Sequence, residues 1–310
     1  MMAWTFISEL LISAVRMATP LLFVALAELY SERAGMVNIG LDGIMAFGSL
    51  IGFLVCYWTQ QPILGVLCGA ICGVLINMIY AFATIRLCAD QIVYGMALNI
   101  FAPALASFIY RVVFGVSSTL AQAPLMQTVA IPGLKDIPFL GPLLFDQTPM
   151  VYVAYLLVIV SGIFFNRTQK GLNYKAVGEY PRAAETMGIP VVLHKYIACV
   201  ICGFLAGMGG AYLTTCYVNT YMDGIVAGRG FIALAAVIFG RWSAGGILIA
   251  CLLFGFFDAF QLRLQVGSQL IPYQLLQMIP YVMTLLALTF WGSRSAGPKA
   301  NAKPYYREER

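Results

Sequence analysis

Charge is what this sequence holds least of. Lys and Arg number 18 and Asp and Glu 13 among 310 residues, where a soluble domain of that length would carry about 78. So few charges cannot cover the surface of a globule. That excludes an ordinary soluble protein, a disordered one and a nucleic-acid binder. Histidine is nearly absent; the single copy, His194, stands at the edge of an apolar run and is read as a surface residue rather than a proton carrier. The phosphate-cradling pattern G-x-x-x-x-G-K-[ST] does not occur, so energy must come from outside the chain or from a gradient. The apolar runs hold no HExxH, no Ser/His/Asp set and no paired acids. This argues against a membrane-embedded enzyme, and no catalytic or metal-ligating residue is nominated. The opening MMAWTFISELLISAVRM has no basic leader and no small-residue cleavage site, and is read as part of the mature chain.

Cysteine is not scarce, but its placement excludes a disulfide framework. Cys56, Cys68, Cys72, Cys88, Cys199, Cys202, Cys216 and Cys251 all lie in or beside apolar runs. Cys199 and Cys202 form a CxxC, which in a soluble domain signals redox or metal chemistry. Without a second ligand pair nearby, soft packing in a membrane helix is the better reading.

What the chain has in abundance is apolar length: 61% of its residues are hydrophobic. A bilayer is crossed by about 20 apolar residues in a helix. Uncharged runs long enough are Gly43 to Ile85, Ile92 to Tyr110, Gln147 to Asn166, Tyr196 to Met222 and Leu264 to Ser293. The first holds two spans, punctuated by Gln60, Gln61 and Pro62. Two more are expected at Ile12 to Tyr30 and at Phe231 to Phe260, the latter interrupted by Arg241. The expected fold is all-α: one polytopic membrane bundle over residues 1–310, with about 8–10 spans.

Orientation follows from Lys and Arg, which mark the cytoplasmic side. Residues 167–195 carry Arg167, Lys170, Lys175, Arg182 and Lys195, and the tail 294–310 carries Arg294, Lys299, Lys303, Arg307 and Arg310. Residues 112–147 carry only Lys135. The first two segments are therefore expected in the cytoplasm and the third outside, with Arg33 and Arg86 also cytoplasmic. About four spans then follow Lys195, and the N-terminus comes out external. Pro124, Pro132, Pro138, Pro142 and Pro149 forbid a long helix in the external stretch. It is read as an extended loop with room for one short helix, either a connector or a docking surface.

Glycine is plentiful and patterned. Gly65, Gly69 and Gly73 repeat at four residues, as do Gly48 with Gly52 and Gly203 with Gly207, the spacing that lets helix backbones approach closely in lipid. Two other stretches, Gly35 to Gly48 and Gly224 to Gly246, mix glycine with Asn38, Asp42, Arg229 and Arg241. Broken helices at matching places in two halves of a transporter point to a pathway. The reading is two interrupted membrane segments related by an internal repeat, with edge turns as the alternative. Polar groups at depth, which are costly and tend to be functional, are Asn38, Asp42, Asn99, Asp258, Gln261 and Arg263. No pair of carboxylates, no mid-span lysine and no histidine in a span suggests a proton relay.

Within 167–195 lies a compact helix signature. Pro181 suits the first helical position, Arg182 to Met187 are good helix formers, Gly188 suits the left-handed cap, and Pro190 blocks continuation. A helix of about seven residues cannot persist alone in water. Ala183, Ala184 and Met187 give it a small apolar face, to rest either in a groove of a partner protein or on the ends of its own bundle.

Four segments carry a resemblance: ERAGMVNIGLDGIMAFGSLIG (Glu32 to Gly52), DQIVYGMALN (Asp90 to Asn99), AVGEYPRAAETMGIP (Ala176 to Pro190) and GRGFIALAAVIFGRWSAGGIL (Gly228 to Leu248). In order and spacing the chain resembles the membrane permease subunits of bacterial ATP-binding-cassette importers. The branch is the one covering branched-chain amino acids, simple sugars and nucleosides, and the shorter of its two nucleoside and simple-sugar permeases is the nearest match. Asp42 stands where Glu is frequent, Asp90 where Asn is, and Tyr180 where Asn is. The resemblance implies a subunit of the bacterial cytoplasmic (inner) membrane, with lipid around it, and a second permease subunit, a hetero-pair being favoured over a homodimer. It also implies a separate ATPase holding ATP and Mg, and an external substrate-binding lipoprotein. It makes Gly178, Glu179, Pro181, Arg182, Ala183, Ala184, Glu185, Met187 and Gly188 the element that couples to that ATPase. Asn38, Asp42, Asn99 and Gln261 are the candidates for the translocation pathway. The reading leans to a nucleoside, with a simple sugar second; few charges and several amides argue mildly against charged amino acids and do not separate those two. The competing reading is a secondary transporter driven by an ion gradient.

Overall fold

The computed structural model describes residues 2–115, 120–130, 140–267 and 297–306, with isolated positions between them. A helix apolar on every side belongs in a core, and the first one behaves so. Helix α1 (Met2–Arg33) runs through the bundle with Leu21 to Leu29 buried. Around it stand α2 (Leu41–Thr59), α3 (Pro62–Ala81, extended by a π turn over Phe82–Arg86) and α4 (Gln91–Phe114). These are followed by α5 (Leu140–Leu144), α6 (Pro149–Arg167), α7 (Gln169–Glu179) and α8 (Pro181–Thr186). The rest is α9 (Val191–Tyr212, extended by a π turn over Leu213–Tyr217), α10 (Arg229–Phe239) and α11 (Ala244–Gly267). Gln60, in the left-handed conformation, ends α2, and Pro62 starts α3 at once. Asp90 caps α4 by accepting the N–H groups of Ile92 and Val93 at 2.8 and 3.0 Å.

The glycine repeats form one seam between α2, α3 and α9. A Cβ on Gly69 would stand 2.7 Å from the Gly48 carbonyl oxygen, one on Gly207 2.5 Å from that of Gly69, and one on Gly203 2.6 Å from that of Gly73. Lipid supplies no hydrophobic drive for helix association, so this close approach holds the three helices together. Opposite the seam, α3 turns Ile63, Ile71, Leu75 and Ile79 outward, each more than half exposed. This is the surface expected against lipid or a neighbouring subunit.

Seven helices among the described residues are long and apolar enough to cross a membrane: Ile7–Arg33, Leu41–Thr59, Pro62–Arg86, Gln91–Phe114, Pro149–Arg167, Val191–Tyr217 and Ala244–Gln265. The chain is thus a polytopic helical bundle. Helix α10, at 11 residues, is too short to cross by itself. The span expected at Leu264 to Ser293 lies almost wholly outside the described residues, as do Pro132, Pro138, Arg294, Arg307 and Arg310. In the proline-rich stretch, β1 (Val129–Ala130) pairs antiparallel with β2 (Asp146–Gln147), and α5 is its short helix.

Both glycine-rich stretches are interrupted, within narrower limits than expected. Only residues 34–40 are unwound in the first, starting at Gly35 with φ +77°. Gly43 and Gly48 lie inside α2, where they serve close packing: a Cβ on Gly43 would meet the Leu98 carbonyl oxygen at 2.7 Å. The second interruption is double. Residues 218–228 precede α10, and Arg241 and Trp242, both at positive φ, turn the chain into α11.

Candidate functional site

The two interruptions meet inside the bundle. Residues 34–38 fold back along α1: Met36 N–H bonds to the Ser31 carbonyl at 3.1 Å, and Asn38 N–H to Glu28 Oε1 at 2.9 Å. Unwound backbone at membrane depth must be satisfied by protein, and side chains from three helices do this. Val37 N–H donates to Gln91 Oε1 at 2.8 Å, and the Val37 carbonyl accepts Tyr80 OH at 2.6 Å. Asn99 holds both Gly43 N–H (2.8 Å) and the Ile39 carbonyl (2.6 Å). Asn38 Oδ1 accepts Gly40 N–H at 3.0 Å and its amide donates to Asn77 Oδ1 at 2.8 Å. Asp42 Oδ1, in the first turn of α2, then accepts Gly230 N–H at 2.9 Å, capping the start of α10. Gly230 is a glycine by necessity, since a Cβ there would stand 2.5 Å from Asp42 N.

Arg33 Nη2 donates to the Trp242 carbonyl at 2.6 Å, tying the end of α1 to the turn after α10. Gly230 lies about 14 Å back along α10 from Phe239, at 1.5 Å per residue. Of the four residues nominated for the pathway, Asn38, Asp42 and Asn99 come together at the joint. Gln261 does not. It is buried on α11, about 25 Å along that helix from Ala244.

One expected absence is corrected. Glu28 and Glu32, one turn apart on α1, are both buried, as is Lys195. Glu32 lies two residues past the span expected at Ile12 to Tyr30, and the folded-back segment and α7 close over that end. Glu32 Oε2 accepts Trp242 Nε1–H and the Asn301 amide (3.1 Å), and Glu28 accepts the Asn38 backbone. Glu32 thus accepts from two side chains and Glu28 from one backbone N–H. The ELYSER segment carried the signal, two acids at i, i+4 closing an apolar helix. Asn77, Tyr80 and Gln91 had none, because a polar residue whose partner lies one or two helices away leaves no local pattern.

At the Arg33 end stands the short helix. Helix α8 covers Pro181–Thr186, Gly188 takes φ +81°, and Gly188 N–H bonds to the Glu185 carbonyl at 2.9 Å, as the cap signature demands. Helix α7, ahead of it, has too few apolar residues to be legible. Thr168 starts it by accepting Gly171 N–H at 3.0 Å, and it buries Tyr174, Val177 and Gly178. Burial, and next the nearby Arg33 charge, hold the Lys175 ammonium below its ordinary range. The expected apolar face of α8 is split. Ala184 is buried against Val177 and Val191, because successive helical residues point about 100° apart, while Ala183 and Met187 face out, Met187 82% exposed. Arg182 is exposed, Glu179 and Pro181 border it, and Glu185 turns back to accept Tyr305 OH.

The sequence profile of a family described as the branched-chain amino acid transport system permease component matches residues 10–288. The chain belongs to that family. The permease is 37% identical over 305 residues to the guanosine ABC transporter permease protein NupQ of Bacillus subtilis, covering 94% of this chain and 95% of that one. It is 35% identical to the nucleoside ABC transporter permease protein NupC of Lactococcus lactis, over 94% and 95% of the two chains. It is also 35% identical to the putative glucose ABC transporter permease protein TsgC13 of Haloferax volcanii, over 98% and 99%. No solved structure matches the permease significantly.

The joint yields a prediction. Asn99→Leu strands the Gly43 N–H and the Ile39 carbonyl, and each orphaned buried group costs about 1–3 kcal/mol. The detergent-solubilised variant should unfold at a clearly lower temperature than wild type. An unchanged melting curve would show that the interruption does not depend on this amide.

Proposed function

We propose that the permease forms, with a second permease subunit, the path by which a nucleoside crosses the bacterial cytoplasmic membrane inward. A separate ATPase, holding ATP and Mg, drives it by docking on α8, and an external binding lipoprotein delivers the solute. The observation that carries this reading is near-full-length similarity to permeases named for guanosine and nucleoside transport. Helix α8 supports it: a short helix with Met187 and Ala183 turned outward and Arg182 beside them is a surface made to be covered. In this reading Gly178 to Gly188 couple the permease to the ATPase, the basic segment 167–195 and the tail are cytoplasmic, and the N-terminus is external. Asn38, Asp42 and Asn99 hold the interrupted segments beside the path, and Gln261 lies further along it. ATP-driven closure of the ATPase pair favours one of two bundle arrangements, and α8 passes that bias on as a rigid body.

The test is uptake by the complex purified from its native membrane and reconstituted in vesicles. Guanosine uptake should require ATP and the external receptor. Preference for glucose would move the solute to the simple sugars, for which the similarity to TsgC13 is the specific support. Uptake that survives without ATP but collapses with an ionophore would replace the reading by gradient-driven transport.

A further inference from the structure

The C-terminal segment 297–306 touches both the short helix and the ends of the interrupted segments. On one side, Ala300 N–H donates to the Gly178 carbonyl at 2.9 Å and Lys299 Nζ to Tyr180 OH at 2.5 Å, while Tyr305 OH donates to Glu185 Oε2. The Tyr305 ring also receives the Lys195 ammonium at 5.7 Å. On the other side, the Asn301 amide donates to Glu32 Oε2 at 3.1 Å, the oxygen that also accepts Trp242 Nε1–H. Gly297 packs on the Trp242 indole, where a Cβ would stand 2.7 Å from the ring. Ala300 abuts Gly35, the first turn of the first interruption; Trp242 is the last turn of the second.

A helix of six residues does not persist alone, so α8 moves as a rigid body only together with what it is fastened to. Ala184 fastens one side of α8 to Val177 and Val191, while a cavity of about 530 Å³ opens between its other side and the tail, lined by Pro181, Arg182 and Tyr306. Gly178, just ahead of α8, packs on the end of α1, where a Cβ would fall on the Arg33 carbonyl oxygen. We propose that residues 297–306 are a transmission strap, which carries a displacement of α8 to Glu32 and Trp242 and so moves both interrupted segments together. Tyr305 and Asn301 are its two fastenings and act as positioning residues. The inference rests on the proposed docking of an ATPase at α8.

The experiment measures solute moved per ATP hydrolysed in the reconstituted complex, together with the amount of ATPase retained on purification. Tyr305→Phe keeps the ring and removes the hydroxyl from Glu185; Asn301→Ala releases the other end. Each should lower the transport-to-hydrolysis ratio about fivefold, the factor expected from one hydrogen bond that biases two arrangements. Hydrolysis, ATPase retention and melting temperature should be unchanged. A ratio equal to wild type in both variants overturns the strap. Loss of the ATPase from either variant overturns it too, by making the tail a docking surface instead. A wild-type complex that binds no ATPase and transports nothing sinks the underlying function, and is told apart because it fails before any substitution.

Discussion

Gly73→Leu is expected to yield no folded permease. A Cβ at this position would fall on the Gly203 carbonyl oxygen and within 2.8 Å of Gly207 Cα. Overpacking a soluble core costs about 1–3 kcal/mol because neighbouring side chains shift. Here the obstacle is backbone, and the only relief is to separate α3 from α9, which forfeits the dispersion contacts that hold helices together in lipid. Against a total stability of about 5–15 kcal/mol, that loss is enough to unfold the bundle. Gly162→Ala is the matched control: Gly162 lies on α6 with nothing within 4 Å of its added carbon, and the change should stabilise by up to about 1 kcal/mol through helix propensity. Size-exclusion chromatography in detergent and a melting curve decide it. A monodisperse Gly73→Leu protein melting with wild type would mean that the seam carries little of the stability.

The seam was legible before any coordinates, because a four-residue glycine period is a local pattern with one dominant cause. So was α8, since Pro181, Gly188 and Pro190 each have a backbone reason to stand where they do. The extent of the interruptions was not. Gly35 breaks a helix and Gly43 packs one, and the two are the same letter; what separates them is Leu98, which the fold brings to Gly43 from another helix. Helix α7 was not legible for a related reason: of its apolar residues only Tyr174 and Val177 are buried, while Leu172 faces out, so they form no stripe, and it packs where α1 ends beneath it. The polar residues at the joint were half legible. Asn38, Asp42 and Asn99 stood out as costly groups at depth. That they hold backbone, and that Glu28, Tyr80 and Gln91 share the work, depends on contacts between distant segments.

Arg182→Glu should abolish ATP-driven uptake while leaving the fold untouched, and contrast with Ala184→Trp is what gives this force. Arg182 is exposed on α8 and its replacement buries nothing. If an ATPase closes over this helix, reversing a charge there removes a cation from a desolvated interface and leaves an unmatched carboxylate in its place, at a cost of about 2–5 kcal/mol, or thirtyfold and more in binding. Met187, 82% exposed, supplies the apolar part of the same surface, and Met187→Asp should weaken docking by about tenfold, as for an anchor residue at an interface. Ala184→Trp also stops uptake, by a different route. Ala184 is 4% exposed between Val177 and Val191, so an indole has no room and must displace α8 from α7. The three variants therefore separate in two measurements. Arg182→Glu and Met187→Asp keep the wild-type melting temperature and lose ATPase on purification; Ala184→Trp melts lower and loses ATPase as a consequence. If Arg182→Glu retains its ATPase and transports normally, α8 is not where that subunit grips, and the exposed Met187 marks the site of some other partner.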